Sequence, residues 1–371
     1  MTRVLVTGGA GFIGSHTVDA LLARGFEVRV LDALLPPVHD GTVPDYVARE
    51  VEFIRGDVRD REVMRRALSG VSVVYHLAAY QDYLPDFSTF FTTNSGGTAL
   101  LYELVVAERR NVDLIVVASS QAVYGEGRYR CAEHGDVYPG PRALAQLERR
   151  DWEHRCPRCG GAVSPDWTDE SVLRPHNAYA FSKRDQDEFA RLVGERYGIA
   201  TVAFRYSIVQ GPRQSFRNAY SGALRAFVVC ALSGAPPVVF EDGEQLRDYI
   251  SVHDVVAANL LPLDCGGMTG RAFNVGGDRR VPVRALADAV VAAAGARAGP
   301  VAPGLFRVGD TRHVFSDVTA LARFGWAPRV ASEVIVAEYL TWAASQSDLR
   351  NTYEEAERRM RELGVLRQVT V

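Results

Sequence analysis

The chain has 371 residues, of which 47% are hydrophobic and 23% are charged, the composition of a globular protein with a full hydrophobic core. Its formal net charge of -3 gives no general attraction to nucleic acid or to anionic membrane surfaces, so neither partner is predicted. No apolar run approaches the roughly 18 residues that a membrane-spanning helix needs. The chain passes from Met1 straight into a strand pattern, and we therefore expect a cytoplasmic protein.

The first predicted strand, residues 3–7, is followed by a glycine-rich turn and a helical pattern. The turn reads Gly8-Gly-Ala-Gly11-Phe-Ile-Gly14. Gly8 permits a tight turn, Gly11 lets the backbone approach a pyrophosphate, and Gly14 lets the helix pack closely on the strand. The free N–H groups and the dipole at the start of the helix favour an anion there. The pattern predicts a dinucleotide site.

The second predicted strand, residues 27–31, ends in Asp32. A carboxylate about 20 residues after the glycines can accept a hydrogen bond from the adenine-ribose 2′-hydroxyl and repel a 2′-phosphate. Asp32 therefore favours NAD over NADP. The alternative is that Asp32 only caps the end of its strand.

Further strands are predicted at residues 51–54, 71–75 and 112–117, with a helix from Thr98 to Glu108 among the segments between them. Small and polar residues cluster where these strands end. The alternation predicts a doubly wound parallel sheet, a Rossmann fold, whose ligands lie at the carboxyl ends of the strands. We predict a Rossmann domain over residues 1–204, containing an insert at 127–170, and a smaller α/β substrate-binding domain mainly over 205–371.

Helices in that second part are predicted at residues 219–233, 283–294 and 318–324, with a terminal helix beyond about residue 346.

Tyr179 and Lys183 are four residues apart on a predicted helix, so a phenol and an ammonium can face the same space. Lys183 is the single lysine among 42 basic residues of the Lys and Arg types. Free tyrosine titrates near ~10, and a nearby ammonium favours the phenolate, which makes Tyr179 a candidate base. Ser120, at the end of a strand, can hold a substrate oxygen in line. These three residues predict proton-transfer chemistry.

The insert contains three of the five cysteines. Cys156-Pro-Arg-Cys159-Gly has the spacing of a zinc knuckle, and Cys131 and His134 offer a second pair at the same spacing. His154 competes with His134 for the fourth position, which we assign to His134 because its spacing mirrors the cysteine pair. We expect a structural zinc; the alternative is three free thiols in a loop.

The sequence resembles the extended short-chain dehydrogenase/reductases, specifically the NAD-dependent nucleotide-sugar epimerase/dehydratase family. The motifs that carry this resemblance include the glycine turn, Gly56-Asp57-Val58, His76-Leu-Ala-Ala79, Ser119-Ser-Gln-Ala-Val-Tyr-Gly125, Tyr179-x-x-x-Lys183, Arg247-Asp-Tyr-Ile-Ser-Val-His-Asp254 and Gly309-Asp310-Thr311-Arg312. The resemblance implies a homodimer and a catalytic set of Ser120, Tyr179 and Lys183.

The same resemblance implies two ligand sites. The residues implied for NAD are Gly8, Gly11, Phe12, Ile13, Gly14, Asp32, Asp57, Val58, Leu77, Ala78, Ala79 and Asn94, together with Tyr179 and Lys183. Gln121, Arg247 and Arg312 are implied for the nucleotide sugar, with the two arginines on its diphosphate, a role that suits paired guanidinium groups.

Gln121 and Ala122 stand where the family's 4,6-dehydratases carry Asp-Glu, the acid and base of water elimination. Their absence favours a 4-epimerase that works through a transient 4-keto sugar. Net oxidation or reduction of a nucleotide sugar, elimination, and a non-catalytic NAD-binding role are the alternatives. The insert resembles those of bacterial proteins similar to dTDP-L-rhamnose 4-epimerases, which implies a dTDP-deoxysugar as substrate.

Overall fold

The computed structural model describes residues 2–82, 85–218, 222–347, 349 and 353–369. A seven-stranded sheet forms its centre, and all of its strand pairings are parallel. In spatial order the strands are Arg271–Val275, Ala200–Tyr206, Leu114–Ser120, Val73–His76, Arg3–Thr7, Glu27–Asp32 and Glu52–Arg55. The doubly wound sheet that the strand and helix pattern predicts is therefore confirmed.

Helices cover both faces of this sheet, which explains why its central strands are apolar throughout. Val4 and Val6 pack into a core on one face, and Leu5 packs into a separate core on the other. The helices of the first part are Phe12–Ala23, Arg61–Ala67, Phe87–Phe90, Gly97–Ala107, Leu144–Glu148 and Ala178–Tyr197, with a π-helical turn at Phe91–Gly96 and a 3₁₀ turn at Gln121–Tyr124.

The second part of the chain forms helices around short strand pairs. Its helices are Ala223–Leu232, Val252–Asp264, Val283–Ala294, Thr319–Ala322, Ser332–Ala344 and Tyr353–Glu362. Its strand pairs are Ile208–Gln210 with Tyr249–Ser251, Leu246–Arg247 with Val281–Pro282, and Leu305–Arg307 with Leu366–Gln368. Residues 219–221, where one predicted helix begins, and residues 348 and 350–352, within the predicted terminal helix, lie outside the described residues.

The predicted domain boundary after residue 204 falls within the strand Ala200–Tyr206. Beyond it, Arg271–Val275 returns to the edge of the main sheet beside that strand. The division into two domains stays a prediction. Among the described residues, no helix combines the length and the apolar character that crossing a membrane requires.

The predicted insert contains a small antiparallel sheet of its own. Its strands are Gly135–Val137, Tyr129–Cys131 and Val163–Pro165, in that spatial order. The apolar cluster beneath it contains only Tyr129, Cys131, Val137, Cys156 and the partly buried Val163. Such a small core gives the insert little stability of its own.

Candidate active site and metal-ligand cluster

The glycine turn has the geometry that its sequence predicts. Gly8 has φ +69°, and a Cβ there would lie 2.8 Å from the backbone of Ala78. A Cβ on Gly14 would lie 2.0 Å from the carbonyl oxygen of Gly8, so only glycine lets the helix start this close to the strand. The helix begins immediately after Gly11, at Phe12.

A cavity of about 680 Å³ lies over the carboxyl ends of the strands. Most of the residues predicted to bind cofactor or substrate line it. They are Gly8, Gly11, Phe12, Ile13, Asp32, Asp57, Val58, Leu77, Ala78, Ala79, Ser120, Gln121, Tyr179 and Arg247. The structure thus gathers the glycine turn, the proposed base and one of the two proposed diphosphate arginines around one space.

Four predicted site residues do not line this cavity: Gly14, Asn94, Lys183 and Arg312. Gly14 packs against Gly8, as described above. Asn94 is fully buried and holds Tyr80 by two hydrogen bonds, donating to its carbonyl oxygen at 3.0 Å and accepting from its N–H at 2.8 Å. Its amide also donates to Ser182 Oγ at 2.9 Å, which ties the cavity wall to the helix of Lys183.

Asp32 presents its carboxylate at the cavity and holds two backbone groups. Its Oδ2 accepts from the N–H of Ala10 at 3.0 Å, and its Oδ1 accepts from that of Leu34 at 2.9 Å. These bonds fix the carboxylate beside the glycine turn. Carboxylate oxygens have about four lone-pair positions, so acceptor capacity is left for a ligand hydroxyl.

Tyr179 lies in the first turn of the helix Ala178–Tyr197. Asn177 caps this helix, its Oδ1 accepting from the N–H of Ala180 at 2.8 Å, a standard role for asparagine at that position. The Tyr179 ring meets the ring of Phe90 edge-on, with centroids 6.5 Å apart. The cap and the ring contact set the direction of the phenol.

Lys183 is buried one turn further along the same helix. Its Nζ donates to the carbonyl oxygen of Ala118 at 2.7 Å and to Gln186 Oε1 at 2.8 Å. An ammonium has three protons, so one is left for the Tyr179 side of the site. Burial lowers the pKa of Lys183 to about 7, and an anion beside it would favour its charged form again.

Gln186 was not predicted as part of the site. It lies three residues after Lys183 on one helix face, a spacing that could have suggested the contact. Its Nε2 donates to Thr98 Oγ1 at 2.9 Å, and so links Lys183 to the neighbouring helix.

Ser120 ends its strand, and its Oγ accepts from the N–H of Ala122 at 3.1 Å. The next side chain, Gln121, donates from Nε2 to Asp248 Oδ1 and to Ser316 Oγ, both at 2.7 Å. Burial raises the pKa of Asp248 to about 7, opposed by the hydrogen bond from Gln121. The position that carries an acid in the dehydratase pattern is therefore filled by an anchored amide.

Three arginines near the cavity have different surroundings. Arg247 lines it, as predicted, and so does Arg307, which was not predicted. Arg307 lies two residues before Gly309 of the Gly-Asp motif, a signal that could have identified it.

Arg312 is instead buried among three carboxylates. Its guanidinium donates to Glu153 at 2.6 Å, to Asp242 at 2.7 Å and to Glu241 at 3.0 Å. The structure does not bring Arg312 to the cavity, because these acids hold its Nε and both Nη atoms.

The four predicted metal ligands lie together, with their ligand atoms all within 4.8 Å of one another. Cys131 Sγ is 3.8 Å from Cys159 Sγ and 3.6 Å from His134 Nδ1, and Cys156 Sγ is 3.7 Å from that nitrogen. Tetrahedral zinc, with bonds of about 2.3 Å to sulfur and about 2.0–2.1 Å to nitrogen, separates such ligands by about 3.6–3.8 Å. The donor set fits zinc in both chemistry and spacing.

The backbone of the knuckle is arranged for this cluster. The N–H of Gly160 donates to the Cys156 carbonyl oxygen at 2.8 Å, and Gly160 has φ +73°. His154, the competing ligand, lies elsewhere, with its Nε2 2.9 Å from Glu126 Oε2. The geometry therefore favours His134 as the fourth ligand.

Comparison with known proteins agrees with this architecture. A model of the NAD dependent epimerase/dehydratase family matches residues 4–141 and 159–276, and the gap lies within the predicted insert. The chain is 32% identical over 356 residues to a dTDP-L-rhamnose 4-epimerase of Burkholderia thailandensis, covering 94% of this chain and 97% of that one. It is 29% identical over 350 residues to a dTDP-glucose 4,6-dehydratase of Streptomyces griseus, covering 92% and 94%.

Among solved structures, the fold is similar to UDP-glucose 4-epimerase of Thermotoga maritima with UDP-glucose, at TM-score 0.76 and 29% identity, covering 92% of this chain and 98% of that one. It is also similar to the Thermus thermophilus UDP-glucose 4-epimerase in complex with NAD, at TM-score 0.73 and 30% identity, with the same coverage. On the match of the family model and the relatives along nearly its whole length, the chain belongs to the NAD dependent epimerase/dehydratase family.

Proposed function

We propose that the protein is a nucleotide-sugar 4-epimerase that uses tightly bound NAD. The observation that carries this proposal is the single cavity that joins the glycine turn to Ser120 and Tyr179, with the amide of Gln121 where an eliminating enzyme has an acid. Family membership and the epimerases among the relatives support it.

In the proposed reaction, NAD bound at the glycine turn reversibly accepts a hydride from C4 of the sugar. Tyr179 takes the proton of the 4-hydroxyl while Ser120 holds that oxygen in line. Lys183 favours the phenolate form of Tyr179 and holds the adjoining ribose through its remaining proton. The resulting 4-keto sugar turns within the cavity. Tyr179 then returns the proton as the other face of C4 is reduced, so no net redox change occurs.

A dTDP-deoxysugar is the proposed substrate, and the similarity to the Burkholderia thailandensis enzyme supports this choice. Arg247 and Arg307 are the proposed cationic groups for the diphosphate, since both line the cavity. The alternative functions are net oxidation or reduction of a nucleotide sugar and 4,6-dehydration.

The deciding experiment is proton NMR of the protein incubated with dTDP-L-rhamnose, dTDP-glucose, UDP-glucose and UDP-glucuronic acid. We expect a C4 epimer from one of them, with no steady rise in absorbance at the NADH wavelength. A 4-keto-6-deoxy product would instead establish a dehydratase, and accumulating NADH a dehydrogenase. Bound NAD with no turnover of any nucleotide sugar would favour the non-catalytic role.

For the cofactor, we expect Asp32→Ala to reduce the preference for NAD over NADP. The wild-type carboxylate lies in the cavity beside the glycine turn, where it would bond a 2′-hydroxyl and repel a 2′-phosphate. Competition between the two dinucleotides for refolded, cofactor-free protein measures the preference. Asp45→Ala, at an acid outside the cavity lining, is the control. An unchanged preference in Asp32→Ala would assign that carboxylate to its backbone bonds alone.

We also propose that the Cys131, His134, Cys156 and Cys159 cluster holds one structural zinc. Four protein donors complete a tetrahedron, so the ion would have no open position for substrate. It would stabilise an insert whose own apolar cluster is small.

A homodimer through the helices Gly97–Ala107 and Ala178–Tyr197 is the proposed assembly. Large apolar side chains are exposed on the second of these helices and on the turns before the first: Phe87, Phe91, Phe181, Phe189 and Leu192. Such a surface favours burial against a second copy. Light scattering after size exclusion should give twice the chain mass.

A further inference from the structure

We propose that the insert positions the diphosphate-binding arginine of the cavity, Arg247, and that Arg312 is the residue through which it does so. This inference rests on the proposed nucleotide-sugar site. It gives Arg312 a positioning role in place of the direct contact with substrate that the family resemblance implies.

Arg247 is held in place by three carbonyl oxygens. Its Nη1 donates to the oxygens of Leu246 at 2.8 Å and Arg312 at 2.9 Å, and its Nη2 donates to that of Thr311 at 2.6 Å. Its Nε makes no hydrogen bond within the part of the chain that the structure describes. The backbone at residues 311–312 thus sets the direction of the guanidinium and leaves donors for a ligand in the cavity.

That backbone is in turn held by residues in and beside the insert. Glu126 Oε2 accepts from the N–H of Arg312 at 2.9 Å, and Glu126 is almost completely buried. Arg142 Nη2 donates to the carbonyl oxygen of Asp310 at 2.9 Å, while its Nη1 donates to that of Trp152 at 3.0 Å. The segment 310–312 is therefore fixed from the insert side at both of its ends.

The side chain of Arg312 completes this connection. It joins Glu153 of the insert to Glu241 and Asp242 of the second part of the chain. Arg142 binds the same Glu241 carboxylate through both Nη atoms, at 2.8 and 2.9 Å. We call Glu126, Arg142, Glu153, Glu241, Asp242 and Arg312 the ionic network.

The ring beneath the metal-ligand cluster also touches this network. Tyr129, beside Cys131 in the insert sheet, packs against His154 and His313, with ring centroids 5.1 and 6.4 Å away. His313 Nε2 lies 3.0 Å from Glu153 Oε2. A continuous set of contacts thus runs from the insert sheet to Arg247.

The test measures binding of dTDP and UDP to the full-length protein by calorimetry, in wild type, Arg312→Met and Arg312→Lys. Because misplacing a binding group by about 1 Å is costly, we expect Arg312→Met to weaken nucleoside diphosphate binding by about tenfold or more. Arg312→Lys, which keeps the charge but not the planar fork, should fall between the two. Bound NAD should not change. In turnover, KM should rise while kcat stays within about twofold.

Arg130→Met is the matched control, since Arg130 lies on the insert but pairs only with Asp136 and Asp166 at the surface. Glu153→Gln is the second variant if Arg312→Met fails to fold, because Glu153 is half-exposed and its loss leaves Arg312 with two carboxylates. It should weaken binding in the same direction by a smaller factor.

The outcomes separate this inference from the proposed function. Wild-type binding with equal affinity in folded Arg312→Met or Glu153→Gln would overturn the positioning role alone, as would loss of NAD together with the diphosphate. Weaker binding in the variants without any epimerisation in wild type would support the positioning role and reject the epimerase. Failure of wild type to bind either nucleoside diphosphate would overturn both.

Discussion

Tyr179→Phe is expected to lower kcat by about 10²–10⁴-fold, the usual contribution of a positioned acid or base. The substitution removes only the phenolic oxygen, so the ring contact with Phe90 and the helix cap by Asn177 remain. NAD content should therefore stay at the wild-type level. The measurements are the rate of C4 epimerisation by NMR and the cofactor released on denaturation.

Tyr197→Phe is the matched control, because it makes the same change on the same helix at a residue that is 51% exposed. It should turn over like wild type. If Tyr179→Phe kept a rate close to that of Tyr197→Phe, Tyr179 would not be the base. A loss of NAD along with activity would point to a role in cofactor binding instead.

Cys156→Ser is expected to remove zinc from the protein, from about one ion per chain to a small fraction of one. A serine hydroxyl is a poor substitute for a thiolate on a soft or borderline metal, and Cys156 lies at the centre of the cluster. The thermal midpoint should fall as well, because the insert has few buried apolar side chains without the ion. Elemental analysis and a thermal scan measure the two effects.

Cys265→Ser provides the control, since that thiol is only partly buried and lies outside the cluster. It should keep its zinc. Equal metal content in the two variants, or no zinc in carefully prepared wild type, would refute the metal site and leave the four residues as an unmetallated cluster.

The parts of the site that the sequence predicts best depend on local spacing. The glycine turn, Asp32 at the end of the next strand, and Tyr179 with Lys183 are each fixed by one strand-turn-helix unit or one helical turn, and the structure places all but Lys183 on the cavity wall. The two Cys-x-x-Cys/His pairs are also local, and the insert sheet brings them together.

The parts that sequence reasoning missed depend on contacts between distant residues. Arg312 has the composition and motif context of a phosphate ligand, but its partners Glu153 and Glu241 lie far along the chain, and nothing local to residue 312 reveals them. The strand Leu366–Gln368 was missed for a similar reason. It is three residues long, shows no strand periodicity, and forms because Leu305–Arg307 lies beside it.

The place of Arg271–Val275 at the edge of the main sheet has a consequence for synthesis on the ribosome. Until this strand has emerged, Ala200–Tyr206, which includes the buried Phe204, has an uncovered edge of backbone N–H and carbonyl groups. Uncovered apolar edges pair readily with other chains. The nascent chain should therefore need chaperone protection over the interval between these two strands, and release of a chain truncated within it should yield insoluble protein.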